Sequence, residues 1–193
     1  MVGQGSEVPE RPMSKAFTKD EPSDEPVIVP ERAPLPPGVP NYVTDRGLQL
    51  LEDERRQLLD ERAALTRAEE DDDAAEAKKQ LRVVNQRLRE LNQRIATARR
   101  VAPPAPPDRT VRFGATVTLK TVAGADDGDL RRIKLVGVDE AGESASLVSF
   151  TAPIARAILG HQPGDKVTRR GGGGEEVLEI IDVEYEAPPA PAR

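Results

Sequence analysis

Residues 81–98 read LRVVNQRLRELNQRIATA, and the spacing of their apolar side chains decides the fold of the N-terminal half. Leu81, Val84, Leu88, Leu91, Ile95 and Ala98 recur at alternating steps of three and four, the single apolar seam of a coiled-coil helix. From Thr44 to Arg100 there is no Pro and no Gly beyond Gly47, so the helical pattern extends upstream as well. There Leu48, Leu51, Leu58 and Leu65 form a counterpart seam, with Arg55 and Arg62 at the intervening positions. Facing residues of an antiparallel hairpin share a constant index sum. Leu65 with Leu81, Leu58 with Leu88, Leu51 with Ile95 and Leu48 with Ala98 all do so, which predicts a turn near Asp73. The stretch Glu69-Glu70-Asp71-Asp72-Asp73-Ala74-Ala75-Glu76 has no Gly, Asn or Pro, but Asp73 and Glu76 stand where a helix cap and its partner would. One unbroken helix dimerising in parallel is the alternative. Five consecutive acids repel one another within a helix, which favours the break.

On either side of the hairpin the composition changes. Residues 1–40 carry half of the prolines among acids and small residues and show no period, so they read as a disordered tail, with Met13 a second candidate start. Residues 41–101 are the hairpin and 102–109 a Pro-rich hinge. Residues 110–186 form a small β-rich domain, and 187–193 are a Pro/Ala tail. In the β-rich part Val111, Phe113, Ala115, Val117 and Leu119 alternate, as do Val177, Ile181, Val183 and Tyr185 with an exception at Glu179. Ile133–Val138 and Ser146–Phe150 lie between them, and Pro153–Leu159 fits a short helix closed by Gly160. The fold class is α+β, with a largely antiparallel sheet.

Composition narrows the function. The chain has 193 residues, 3% aromatic, no Cys and one His (His161), with a net charge of −6. Zero Cys excludes disulfides, zinc-thiolate sites and a cysteine nucleophile, and a single His argues against a Ser-His-Asp apparatus. No run approaches the ~18 apolar residues of a membrane span. These features describe a soluble cytoplasmic protein, monomeric if the hairpin reading holds, with no membrane partner. Gly171–Gly174 lacks the Lys-Ser/Thr of a phosphate loop and reads as a hairpin tip.

Several stretches then resemble a known family. Phe113-Gly114-Ala115-Thr116-Val117, Val136-Gly137-Val138-Asp139-Glu140-Ala141, Ala152-Pro153-Ile154-Ala155-Arg156-Ala157 and Gly164-Asp165 are similar to the Gre family of bacterial transcription elongation factors. So are Lys78-Lys79-Gln80-Leu81-Arg82 and the approach to the first helix, Asn41-Tyr42-Val43-Thr44 with Gly47, which resembles the GreB-like branch. The resemblance implies an FKBP-like C-terminal domain that docks on RNA polymerase at the rim of its secondary channel, through Asp139, Glu140, Pro153, Ile154 and Arg156. It also implies a hairpin that enters the channel and brings Glu69, Glu70, Asp71, Asp72 and Asp73 to the active-site magnesium, stimulating cleavage of backtracked RNA. The chemistry would be the polymerase's: the chain is an accessory factor rather than an enzyme, with no permanently bound cofactor and Mg²⁺ shared with the polymerase. Lys78, Lys79 and Arg82 would contact the nascent RNA 3′ end or the channel wall.

The tip departs from the family's Gly-Asp-x-Ser-Glu-Asn. Counted back from Lys78-Lys79, its Glu falls on Glu70 and its Asp on Arg67. The stretch from Gly47 to the tip is about eleven residues shorter than the family's, which shortens each arm by roughly 8 Å. Docking without cleavage is therefore a second reading. Composition alone reads the five acids as a solvated turn favouring the second helix's N-terminus, and the arginines of that helix as partners for Glu52, Asp53, Glu54, Asp60 and Glu61. A remote alternative is a prolyl isomerase or chaperone, which needs an aromatic-lined cleft.

Overall fold

The computed structural model describes residues 32–68, 74–105, 108–124, 127–171 and 174–186. Strand β1 (Tyr42–Val43) leads into helix α1 (Asp45–Ala68), and helix α2 (Ala74–Thr97) leads out into β2 (Arg99–Arg100). Each helix has 24 residues, about 36 Å at 1.5 Å per residue. Because β1 pairs with β2, the start of α1 lies beside the end of α2, and the two helices form an antiparallel hairpin. Asn41 Nδ2 reinforces this base by donating to the Arg94 carbonyl at 2.8 Å.

The hairpin is held by the predicted seam. Leu51, Leu58, Val84, Leu88 and Leu91 are buried together, with Leu48, Leu65, Ile95 and Ala98 packed around them. A fully buried Leu contributes about 1.5–3 kcal/mol, so this row outweighs the helices' charged outer faces. Arg55 is half-buried and Arg62 exposed, the snorkelling expected of long cations on a seam.

The C-terminal part is a five-stranded sheet of order β5-β4-β3-β7-β6, with β3 (Thr116–Ala123), β4 (Leu130–Val136), β5 (Leu147–Ser149), β6 (Lys166–Gly171) and β7 (Gly174–Glu184). Every neighbouring pair is antiparallel except β4 with β5, which is parallel. Helix α3 (Pro153–Ile158) covers one face, sending Ala155 and Ile158 into a core of Val117, Leu119, Leu135, Leu178 and Ile180. Among the described residues no helix is long and apolar enough to cross a membrane.

Four details differ from the sequence expectation. The strand read from Val111 begins only at Thr116, because Gly114 turns the chain at φ 85° and Val111 instead bonds the 160–161 loop. The burial alternation survives the break, so the face was legible although the strand was not. In β7 the inward face is Leu178 and Ile180, then Val183, with a register shift opposite Thr118/Leu119 that leaves Ile181 exposed at 42%. The predicted Val177–Ile181 alternation was one residue out of phase on that side of the bulge. Strand β6, rich in Lys and Arg, was not anticipated. Finally, residues 32–40 do not behave as part of a disordered tail. Arg94 Nη2 donates to the Ala33 carbonyl at 2.5 Å, and the segment walls a hollow of about 570 Å³ against α2. Residues 1–31, 69–73 and 187–193 lie outside the described residues.

The hairpin and the sheet meet at Gly137, which follows β4. A Cβ there would stand 2.7 Å from the Tyr42 carbonyl oxygen, a backbone atom that cannot step aside. Gly137→Ala is expected to destabilise the fold by about 1–3 kcal/mol, a drop of roughly 3–10 °C in Tm by thermal denaturation. An unchanged Tm would mean the junction is looser than drawn.

Candidate functional site: the hairpin, its mount and its tip

The mount of the hairpin is built around one buried carboxylate. Thr44 caps α1, its Oγ1 accepting from the Gly47 amide at 2.8 Å. The same hydroxyl donates to Glu140 Oε2 in the turn after β4, ninety-six residues away. A capping box would place Glu at the position of Gly47. Here that space is filled by Glu140 itself, and a Cβ on Gly47 would lie 2.9 Å from its Oε2. Glu140 is 1% exposed. Its other oxygen accepts from Arg46 Nη1 at 3.3 Å, while Arg46 Nη2 reaches Glu143 at 2.6 Å. The carboxylate also sits at the positive end of a long helix, which offsets part of its desolvation.

Beside it Tyr42, Phe113 and Phe150 meet with ring centroids 5.4–5.7 Å apart, tilted or edge-on. Tyr42 belongs to the hairpin's approach and the two phenylalanines to the sheet domain. The fourth Phe or Tyr ring among the described residues, Tyr185, donates its hydroxyl to the Thr110 carbonyl and accepts from the Arg112 amide. Burial raises its pKa above the ordinary value. The two hollows, one between the 32–41 segment and α2 and one bordered by Arg32, Glu54 and Arg87, are lined without an aromatic ring.

The site residues expected from sequence fall into three groups. Glu69, Glu70, Asp71, Asp72 and Asp73 lie outside the described residues, between the facing ends of α1 and α2. Lys78 and Arg82 are exposed and Lys79 half-buried on the first turns of α2. Of the five expected docking residues, Pro153 and Arg156 are exposed on α3, whereas Ile154 is packed against the core. Asp139 and Glu140 point their carboxylates inward, Asp139 accepting from Arg32 at 2.9 Å. Sequence reasoning missed Arg32 and Arg94 as site residues, and it quoted Thr44 only in the approach to α1, without its contact to Glu140. Arg32 sat in a stretch with no period, and only three-dimensional proximity gives it partners.

The ion pairs at the hairpin differ from the expected pairing of α2 arginines with Glu52, Asp53, Glu54, Asp60 and Glu61, since Arg100 belongs to β2 and Asp45 is not among those acids. Arg100 reaches Asp45 at 2.9 Å, but Glu54 takes Arg32 and Asp53 takes Arg56 of its own helix. Among the described residues no three His, Cys, Asp or Glu side chains converge as a metal site.

Replacing Glu140 tests the mount. Glu140→Ala strands the Thr44 hydroxyl and empties packed volume, and is expected to cost about 2–3 kcal/mol, against about 1 for Glu140→Gln, which keeps the shape. Chemical denaturation measures both; equal stabilities for wild type and Glu140→Ala would refute the mount.

The sequence is similar to those of known proteins. A family profile described as "Transcription elongation factor, GreA/GreB, C-term" matches residues 106–185. Transcription elongation factor GreB of Neisseria meningitidis serogroup B is 34% identical over 158 residues, covering 75% of this chain and 94% of that protein. Transcription elongation factor GreA of Alkalilimnicola ehrlichii is 36% identical over 155 residues, covering 74% and 96%. A solved structure, the prokaryotic transcription elongation factor GreA/GreB from Nitrosomonas europaea, aligns over 76% of this chain and 99% of its own at 20% identity, with a TM-score of 0.36. On the strength of the sequence relatives, which it spans almost end to end, the chain belongs to the GreA/GreB family of transcription elongation factors.

Proposed function

We propose that this chain is an accessory factor that binds RNA polymerase at the secondary channel and modulates elongation with its helical hairpin. The observation that carries the reading is the mount. Two arms of 24 residues project as one rigid pair from a sheet domain, and the chain between their far ends is Glu69-Glu70-Asp71-Asp72-Asp73. Such a lever can carry acids into a confined site while the body remains outside.

In this reading Pro153 and Arg156 of α3 offer the docking surface, with Ile154 anchoring that helix and Asp139 and Glu140 shaping the turn beside it. At the tip the carboxylates supply oxygen ligands for the polymerase's magnesium and acceptors for the attacking water; bond cleavage remains the polymerase's own chemistry. Lys78, Lys79 and Arg82, set back from the tip along α2, face the phosphates of the RNA 3′ end or an acidic channel wall.

A second reading, occupancy without cleavage, has its own observation. Arg67 stands where the family's tip Asp falls, exposed on the last turn of α1, its Nε donating to the Ala63 carbonyl at 3.1 Å. A cation there cannot ligate magnesium.

The test is RNA cleavage in a halted, backtracked elongation complex with and without the protein. Cleavage that is lost by roughly tenfold or more when Glu69–Asp73 become Ala supports delivery of a metal ligand. Absence of cleavage, with protection against an active Gre factor added in competition, supports occupancy. Neither cleavage nor competition would refute the polymerase reading.

A further inference from the structure

Asp139 is where three separate parts of the chain converge. Arg32 Nη1 donates to its Oδ1 at 2.9 Å, and Arg94 Nε of α2 lies 3.6 Å from its Oδ2. The other arm of the Arg32 fork, Nη2, donates to both carboxylate oxygens of Glu54 on α1 at 2.6 Å. Arg94 closes the circuit by donating to the Ala33 carbonyl, next to Arg32. The four side chains are shielded, with exposures of 21% for Arg32, 31% for Glu54, 6% for Asp139 and 10% for Arg94. Burial alone would lower the Arg32 pKa, but the hydrogen bonds to Glu54 and Asp139 outweigh it and raise the guanidinium above its ordinary value.

A shielded, forked guanidinium differs from an ordinary surface ion pair. Its planar donors fix the directions of both carboxylates, so its contribution lies in geometry more than in net stability. Here the two carboxylates belong to different parts of the molecule: Glu54 to the hairpin, Asp139 to the sheet domain. We propose that Arg32 is a positioning residue, a clasp that sets the attitude of the hairpin on the sheet domain by holding Glu54 and Asp139 in one fork. The leverage is large. With arms of about 36 Å, a 10° change at the base moves the tip by about 6 Å, roughly twice the hydrogen-bond reach within which a carboxylate must act. The positioning stands on the structure alone; its effect on a metal at the tip rests on the polymerase reading.

The chain has no Cys, so two introduced cysteines label it uniquely. Ala64→Cys on α1 and Thr168→Cys on β6 are both exposed positions. Spin labels there report the hairpin-to-sheet distance by double electron–electron resonance in the full chain. The intact protein is expected to give one narrow distribution. Arg32→Ala should broaden it about twofold or shift its mean, as the clasped states separate, with Arg32→Lys and Glu54→Gln in between and helix content unchanged by circular dichroism. An unchanged distribution in folded Arg32→Ala, or a lowered Tm with no broadening, overturns the clasp. If Arg32→Ala does not fold, Glu54→Gln carries the same test, because it removes one arm at a partly exposed position. The distances are read without polymerase, so failure of the polymerase reading would leave them standing.

Discussion

A single buried carboxylate organises the molecule. Glu140 sits 1% exposed where the sheet domain meets the hairpin and accepts from the hydroxyl that caps α1. Gly47 leaves it room, and Gly137 lets the Tyr42 backbone come close enough for the contact to form. The seam leucines hold the two helices to each other, but they would do so equally well at any angle to the sheet. The attitude of the hairpin depends on this polar contact, the aromatic triad beside it and the clasp of Arg32. Burying a charge at such a point is a weak route to stability and a strong one to a defined geometry. In a lever of this length, geometry at the base governs what happens at the tip.

How much of this was legible in sequence follows the range of the forces involved. The seam from Val84 to Ala98 and its mates from Leu48 to Leu65 were readable because helical periodicity is local, and the pairs Leu58 with Leu88, Leu51 with Ile95 and Leu48 with Ala98 do pack in one cluster. Alternation from Val111 to Leu119 gave the buried face correctly although Gly114 breaks the strand. Ile180 and Ile181 misled because adjacent β-branched residues fit either phase, and a bulge decides between them. Strand β6 was hidden by Lys166, Arg169 and Arg170, whose charges suit a sheet edge but mask its alternation. The contacts of Glu140 with Thr44 and of Asp139 with Arg32 span 96 and 107 residues, and no local signal reports them. Asp139 and Glu140 were named by resemblance as docking residues, and the structure turns both carboxylates inward.

The family assignment and the physical reading support each other at different points. The family profile covers residues 106–185 and the sequence relatives about three quarters of the chain, while the Arg32 clasp belongs to the segment that composition had grouped with a featureless tail. The tip combines a run of five acids with Arg67 in place of an expected Asp, on arms of 24 residues each. Arms of about 36 Å make the angle at the base consequential, since a small rotation there is amplified at the tip. A residue that fixes the angle and a tip rich in interchangeable carboxylates are compatible answers to that constraint.

The most direct measurement places a single cysteine at Ala68→Cys, the last described residue of α1, and attaches an iron chelate that generates hydroxyl radicals locally. Added to a polymerase elongation complex, the labelled protein is predicted to cut the polymerase chain at segments lining the catalytic centre, with cuts suppressed by excess unlabelled protein. Cuts confined to the polymerase's outer surface, or none above those of free chelate, would contradict the claim that this hairpin is a lever reaching into the enzyme.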